Sequence, residues 1–175
     1  RLVYDRLFQQ MGDRPVHVRT LDIGGEKILP YLNLPQEANP ELGLRSIRFL
    51  LKHRYVFDQQ LRAILRAGAR TEKLGIMFPM ISSLDEFEAA RQAVYDAMAD
   101  LEREQLEHNA RPAIGTMIEM PSVLTIIDEL AAAADFFAIG TNDFIQYMLA
   151  VDRTNENVSG YYQPFHPSIL RALAR

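Results

Sequence analysis

The stretch LGIMFPMISSLDEFEAARQAV (74–94) carries the two periodicities that decide the fold. Its opening run, LGIMFPMI, is short and continuously apolar, as in a strand buried on both faces, and predicts a strand over 74–81. Ser83 and Glu86 then form a capping box, and Leu84, Phe87, Val94, Met98 and Leu101 recur at helical steps. A strand thus passes directly into an amphipathic helix. The succession repeats downstream: a strand over 113–118 precedes Glu119 and a Pro121-led helix to about residue 134, and a strand over 136–139 precedes a helix from Asp143. Upstream, VHVRTLD alternates before Gly24 and Gly25, which predicts a strand over 16–21. Two helical patterns follow over 44–52 and 55–69. Residues 26–43, with three prolines and two asparagines, predict an ordered loop of the length that usually carries function.

This alternation predicts an α/β fold with a parallel sheet covered by helices, either an open doubly wound sheet or a (β/α)8 barrel. Four recognisable strands are too few to close a barrel, and no GxGxxG or P-loop motif supports the nucleotide-binding open sheet. The expectation is a partial (β/α)8 TIM-type barrel. At 175 residues and 48% hydrophobic, the chain has the size of one domain, read as a single segment over 1–175 that is truncated at both ends. A net charge of −4 with interspersed signs gives no reason to expect nucleic acid or an anionic membrane as partner. The absence of cysteine removes disulfides and thiolate metal sites and fits a cytoplasmic location. No apolar run approaches a membrane span.

In parallel α/β folds, ligands sit at the carboxyl ends of the strands. There the sequence places Arg19, Thr20 and Asp22, then Glu119, then Thr141, Asn142 and Asp143. Glu119 and Asp143 suit a hard divalent ion such as Mg²⁺, which takes one or two protein carboxylates. By spacing alone they serve equally well as acids favouring helix N-termini. Arg19, on a strand that otherwise alternates apolar residues, is the best-placed anion contact. For Lys27, Arg45 and Arg153, spacing favours solvated surface cations. The four histidines are scattered, and the methionines read as core filling.

Five segments are similar to one family: RTLDIGGEKILPY (19–31), GLRSIR (43–48), IMFPM (76–80), GTMIEMP (115–121) and FFAIGTNDFIQYMLAVDR (136–153). Together they closely resemble the phosphoenolpyruvate-binding domain of enzyme I of the bacterial phosphotransferase system. The end, YYQPFHPSILRALAR, resembles the nitrogen-related paralogue somewhat more than the sugar enzyme. Pyruvate phosphate dikinase and phosphoenolpyruvate synthase share only some of these elements. The resemblance implies that Glu119 and Asp143 bind Mg²⁺, that Arg19, Lys27 and Arg45 contact the phosphoryl group, and that Asn142 and Arg153 hold the end of phosphoenolpyruvate that carries its carboxylate. It further implies transfer to a histidine of a separate domain and then to a histidine-containing phosphocarrier protein. The family's catalytic cysteine and acceptor histidine have no counterpart here, so the segment alone is expected to be inactive, with a dimerisation module as the alternative. Uncovered strand edges predict self-association into a homo-oligomer.

Overall fold

Val16 and Val18 turn one way and His17 and Arg19 the other on the first strand, β1 (Val16–Arg19), the alternation of a strand with only one covered face. The computed structural model describes residues 1–24 and 37–174. Three further strands follow: β2 (Leu74–Phe78), β3 (Ala113–Ile118) and β4 (Phe136–Ile139). All pairs are parallel and the sheet order is β1-β2-β3-β4, with Val18 beside Ile76, Ile76 beside Ile114, and Met117 beside Ala138. Among the described strands the order never reverses. Right-handed crossovers then put the connecting helices on one side of these four strands, as in a (β/α)8 barrel and without the reversal at which a doubly wound sheet changes sides.

The crossover helices are α2 (Ser46–Lys52) and α3 (Arg54–Ala67) between β1 and β2, α4 (Leu84–Arg103) before β3, and α5 (Ile127–Ala133) before β4. Leu61 and Ile64 of α3 and Phe87, Val94 and Leu101 of α4 are fully buried with Val18, Ile76, Phe78 and Ile114 of the sheet in one core. Phe78 meets Phe57 and Phe87 edge-on, with centroids 6.1 and 5.9 Å apart. Each such buried side chain contributes roughly 1.5–3 kcal/mol. On the opposite face Arg19 is exposed, and Met77, Met117 and Ala138 are only half-buried. The expectation of strands buried on both faces holds for most of β2, where Leu74, Gly75, Ile76 and Phe78 are buried, and is corrected for β1 and β4, since the helices cover one side only.

The capping box forms, with Ser83 Oγ accepting the Glu86 N–H at 3.2 Å. Glu86 reaches back one residue further than predicted, accepting the Ser82 N–H and hydroxyl at 2.7 Å each. The helix expected from Pro121 is instead a 3-10 turn, Pro121–Thr125, broken from α5 at Ile126. Thr125 Oγ1 donates to the Ser122 carbonyl at 2.7 Å, and β-branched residues crowd the turn, which favours the tighter winding. α6 (Thr141–Leu149) begins ahead of the predicted Asp143. Two helices were not anticipated: α1 (Leu2–Met11) and α7 (Pro167–Leu173), the latter led by Pro167 behind a His166 cap. Most of the predicted 26–43 loop lies outside the described residues. Its last part forms a 3-10 turn, Pro40–Leu42.

Candidate functional site

The carboxyl ends of all four strands deliver polar groups to one place. β1 leads to Asp22, β2 to Met80, β3 to Glu119, and β4 through Gly140 to Asp143. Gly24, at φ 99°, lies so close to the Leu44 carbonyl and the Arg45 Cα that a side chain there would collide with them. That approach brings Arg45 in behind the end of β1. The spacing-based reading of Arg45 as a solvated surface cation is corrected: its side chain is 2% exposed. Nη2 donates to Asp22 Oδ1 and Oδ2 at 3.0 and 3.3 Å, and Nη1 pairs with Glu41 and donates to Tyr147 Oη at 3.1 Å. Nη1 also lies 3.7 Å from Asp143 Oδ1. Burial works against the guanidinium charge, but Asp22, Tyr147 and Glu41 outweigh it and hold its pKa above the ordinary arginine value.

Asp143 sits in the first turn of α6 but caps nothing there. Its Oδ1 instead accepts from Arg153 Nη1 at 3.1 Å. The chain returns Arg153 to this position through a left-handed Ala150, and the Arg153 N–H donates to Gln146 Oε1 at 3.1 Å. Arg153 is thus a half-buried ion-pair partner, a second correction to the surface reading.

Glu119 is 1% exposed and caps no helix either. Its Oε1 accepts the Met80 N–H at 2.6 Å, and Met80 takes the left-handed φ of 60° to present it. Such a conformation is strained for a residue with a side chain and clusters at functional sites. Burial pushes the Glu119 carboxyl up to about 7, reinforced by the charges of Asp143 and Asp22 and opposed by the Met80 N–H and Arg19. A Cβ at Gly140 would run into Glu119 Oε2, so the glycine keeps room for that oxygen. Arg19 stands at the rim, 3.8 Å from Asp22 Oδ2 and 42% exposed.

Asn142 lies apart from this cluster. It is exposed, and its Oδ1 accepts from Tyr162 Oη at 3.4 Å. Lys27 lies outside the described residues. Among the described residues no group of three or more His, Cys, Asp or Glu side chains is placed to hold a metal ion. Two carboxylates with an oxygen lodged over a glycine nevertheless fit a hard cation that keeps its remaining positions for water or substrate. Sequence reasoning placed Asp22 at its strand end without assigning it a role, and missed Glu41, Tyr147 and Met80 as members of the cluster. Only the step from Asp143 to Tyr147, one helical turn on the same face, could have suggested one of them.

The family model described as PEP-utilising enzyme, PEP-binding domain, matches residues 2–175, where PEP is phosphoenolpyruvate. The chain belongs to this family. As a PEP-binding domain it is 51% identical over 168 residues to the phosphoenolpyruvate-protein phosphotransferase of Priestia megaterium, covering 96% of this chain and 29% of that protein. It is 50% identical over 155 residues to the protein of the same name from Mycoplasma capricolum, covering 89% and 27%. The PEP-binding domain thus spans under a third of the length of these relatives. A solved citrate lyase from Burkholderia xenovorans overlaps 66% of this chain and 34% of its own, with a TM-score of 0.48 at 23% identity.

Proposed function

We propose that this PEP-binding domain is the substrate-binding part of a phosphoenolpyruvate-protein phosphotransferase, built as a partial (β/α)8 barrel over 1–175. The observation that carries this is the convergence, at the carboxyl ends of parallel strands, of two buried carboxylates, Glu119 and Asp143, with Arg19, Arg45 and Arg153. Loose phosphoryl-transfer transition states are stabilised by positioned cations rather than by covalent chemistry, and this cluster has that character.

In this reading Glu119 and Asp143 hold Mg²⁺, which when bound supplies positive charge to the phosphate oxygens of the substrate. Arg45, preset by Asp22, and Arg19 at the rim take the phosphoryl group, with Lys27 joining them. Arg153 turns from Asp143 to the substrate carboxylate, and Asn142, exposed in the first turn of α6, reaches the same end of the substrate from outside the cluster. The bond from phosphorus to the enol oxygen breaks as one from phosphorus to a histidine nitrogen of another domain forms; the enolate of pyruvate leaves and takes a proton from a group outside this segment, and the phosphoryl group passes on to a phosphocarrier protein. The assembly is placed in the cytoplasm as a homo-oligomer. Among the described residues the cluster sets the carboxyl groups of Asp22, Glu41, Glu119 and Asp143 against the guanidiniums of Arg19, Arg45 and Arg153, and a cation bound at Glu119 would take the place of the proton that burial favours there.

The reading is tested with Glu119→Ala and Asp143→Ala in the intact protein. Each is expected to abolish Mg²⁺-dependent phosphorylation from phosphoenolpyruvate and to weaken Mn²⁺ binding measured by electron paramagnetic resonance. Full activity in either variant would remove the metal role.

A further inference from the structure

We infer that Tyr147 is a positioning residue for Arg45, holding its guanidinium at the phosphoryl end of the site; the inference rests on reading Arg45 as a phosphoryl contact. Tyr147 lies one helical turn beyond Asp143, so its hydroxyl and that carboxylate share a face of α6. Arg45 Nη1 touches both, at 3.1 Å from Tyr147 Oη and 3.7 Å from Asp143 Oδ1. The phenol has a single proton, and Oη gives it to the Glu41 carbonyl at 2.7 Å. Toward Arg45 it can therefore only accept. The partners Asp22, Glu41 and Asp143 also restrain Arg45, but each carries a negative charge that competes with an incoming phosphate. Tyr147 is a neutral acceptor, and it fixes the guanidinium fork without cancelling its charge.

The same hydroxyl ties two parts of the site together. Through the Glu41 carbonyl it anchors the 40–45 segment to α6. The ring itself packs against the hydrophobic core, a role that phenylalanine would keep. The hydroxyl is left for orientation.

The test is Tyr147→Phe in the intact protein, alone and combined with Arg45→Lys. The single variant is expected to raise the KM for phosphoenolpyruvate about tenfold, the loss of one hydrogen bond to a charged group, with kcat changed less than about twofold. Mn²⁺ affinity, read by electron paramagnetic resonance, is expected to stay at the wild-type value, which also reports that the fold is intact. In the Arg45→Lys background, adding Tyr147→Phe is expected to raise KM little further. An unchanged KM in Tyr147→Phe, beside a raised KM in Arg45→Lys, would overturn the inference and leave the Arg45 reading standing. A full tenfold effect persisting in the Arg45→Lys background, or Mn²⁺ affinity falling in step with KM, would also overturn it. An unchanged KM in Arg45→Lys would remove the Arg45 reading and this inference together.

Discussion

Glu119 is a carboxyl group whose charge is costly where it stands. Its pKa of about 7 in the folded chain, against 4.5 for the ordinary group, means that the folded state keeps a proton between those values which the unfolded state has released. Stability from this group is therefore complete below about pH 4.5 and is lost as pH rises through 7, by on the order of 3 kcal/mol. In metal-free protein with a chelator present, the urea midpoint is expected to fall between pH 5 and pH 8. Glu119→Gln, which never ionises, is expected to remove that part of the fall. Equal pH slopes in the two proteins would show that Glu119 carries no such shift. Arg45 shows the opposite case at the same scale: surrounded by Asp22, Glu41 and Asp143, it keeps its charge although almost no solvent reaches it. Neither state was legible in the sequence, because Glu119 acquires its neighbours, and Arg45 all of its own but Glu41, from segments tens of residues away.

Elements were far more legible than side-chain environments. The strands 113–118 and 136–139 form as predicted, and β2 stops short of the predicted residue 81 because Met80 turns left-handed toward Glu119. The break at Ile126 escaped detection because a helical apolar spacing does not reveal how Thr125 bonds locally. One connection outside the site carries its own prediction. Asn109, 7% exposed, follows α4 and donates to the carbonyls of Gly68 and Thr71 at 3.1 and 2.7 Å, while its Oδ1 accepts the Arg111 N–H at 3.0 Å. It latches the turn before β2 to the turn before β3, at the end of the sheet opposite the site. Asn109→Ala removes all three bonds, the Gly68 carbonyl keeping the Thr71 N–H at 2.9 Å, and a loss of about 2 kcal/mol, on the order of 6 °C in Tm, is expected by calorimetry. Phosphoenolpyruvate affinity is expected to stay unchanged in the intact protein.

At the scale of the whole molecule, the sheet has β1 and β4 at its edges, and apolar side chains stand out in water. Phe137 and Ile139 of β4 are 37% and 58% exposed, and Phe165 reaches 84%. Unpaired strand edges and apolar patches favour association. The isolated 175-residue chain is expected to scatter light as a species heavier than one chain across the micromolar range; a monomer throughout would sink this expectation. Among the described residues no helix is long and apolar enough to cross a membrane.

The alternation of buried strands with amphipathic helices was a property of the sequence itself. Period and capping are local, and they settled the α/β class, the parallel sheet and the placing of Arg19, Asp22, Glu119 and Asp143 at strand ends. The sequence also carried the motifs that the family match over residues 2–175 confirms. Tertiary structure alone decided which cations are buried, that Arg153 pairs with Asp143, and that Asp22, Glu41, Tyr147 and the Met80 N–H complete the cluster. These depend on the approach of Arg45 past Gly24 and on the sequential order of the strands. Desolvation and Coulomb interactions act through space, between groups that chain order keeps far apart.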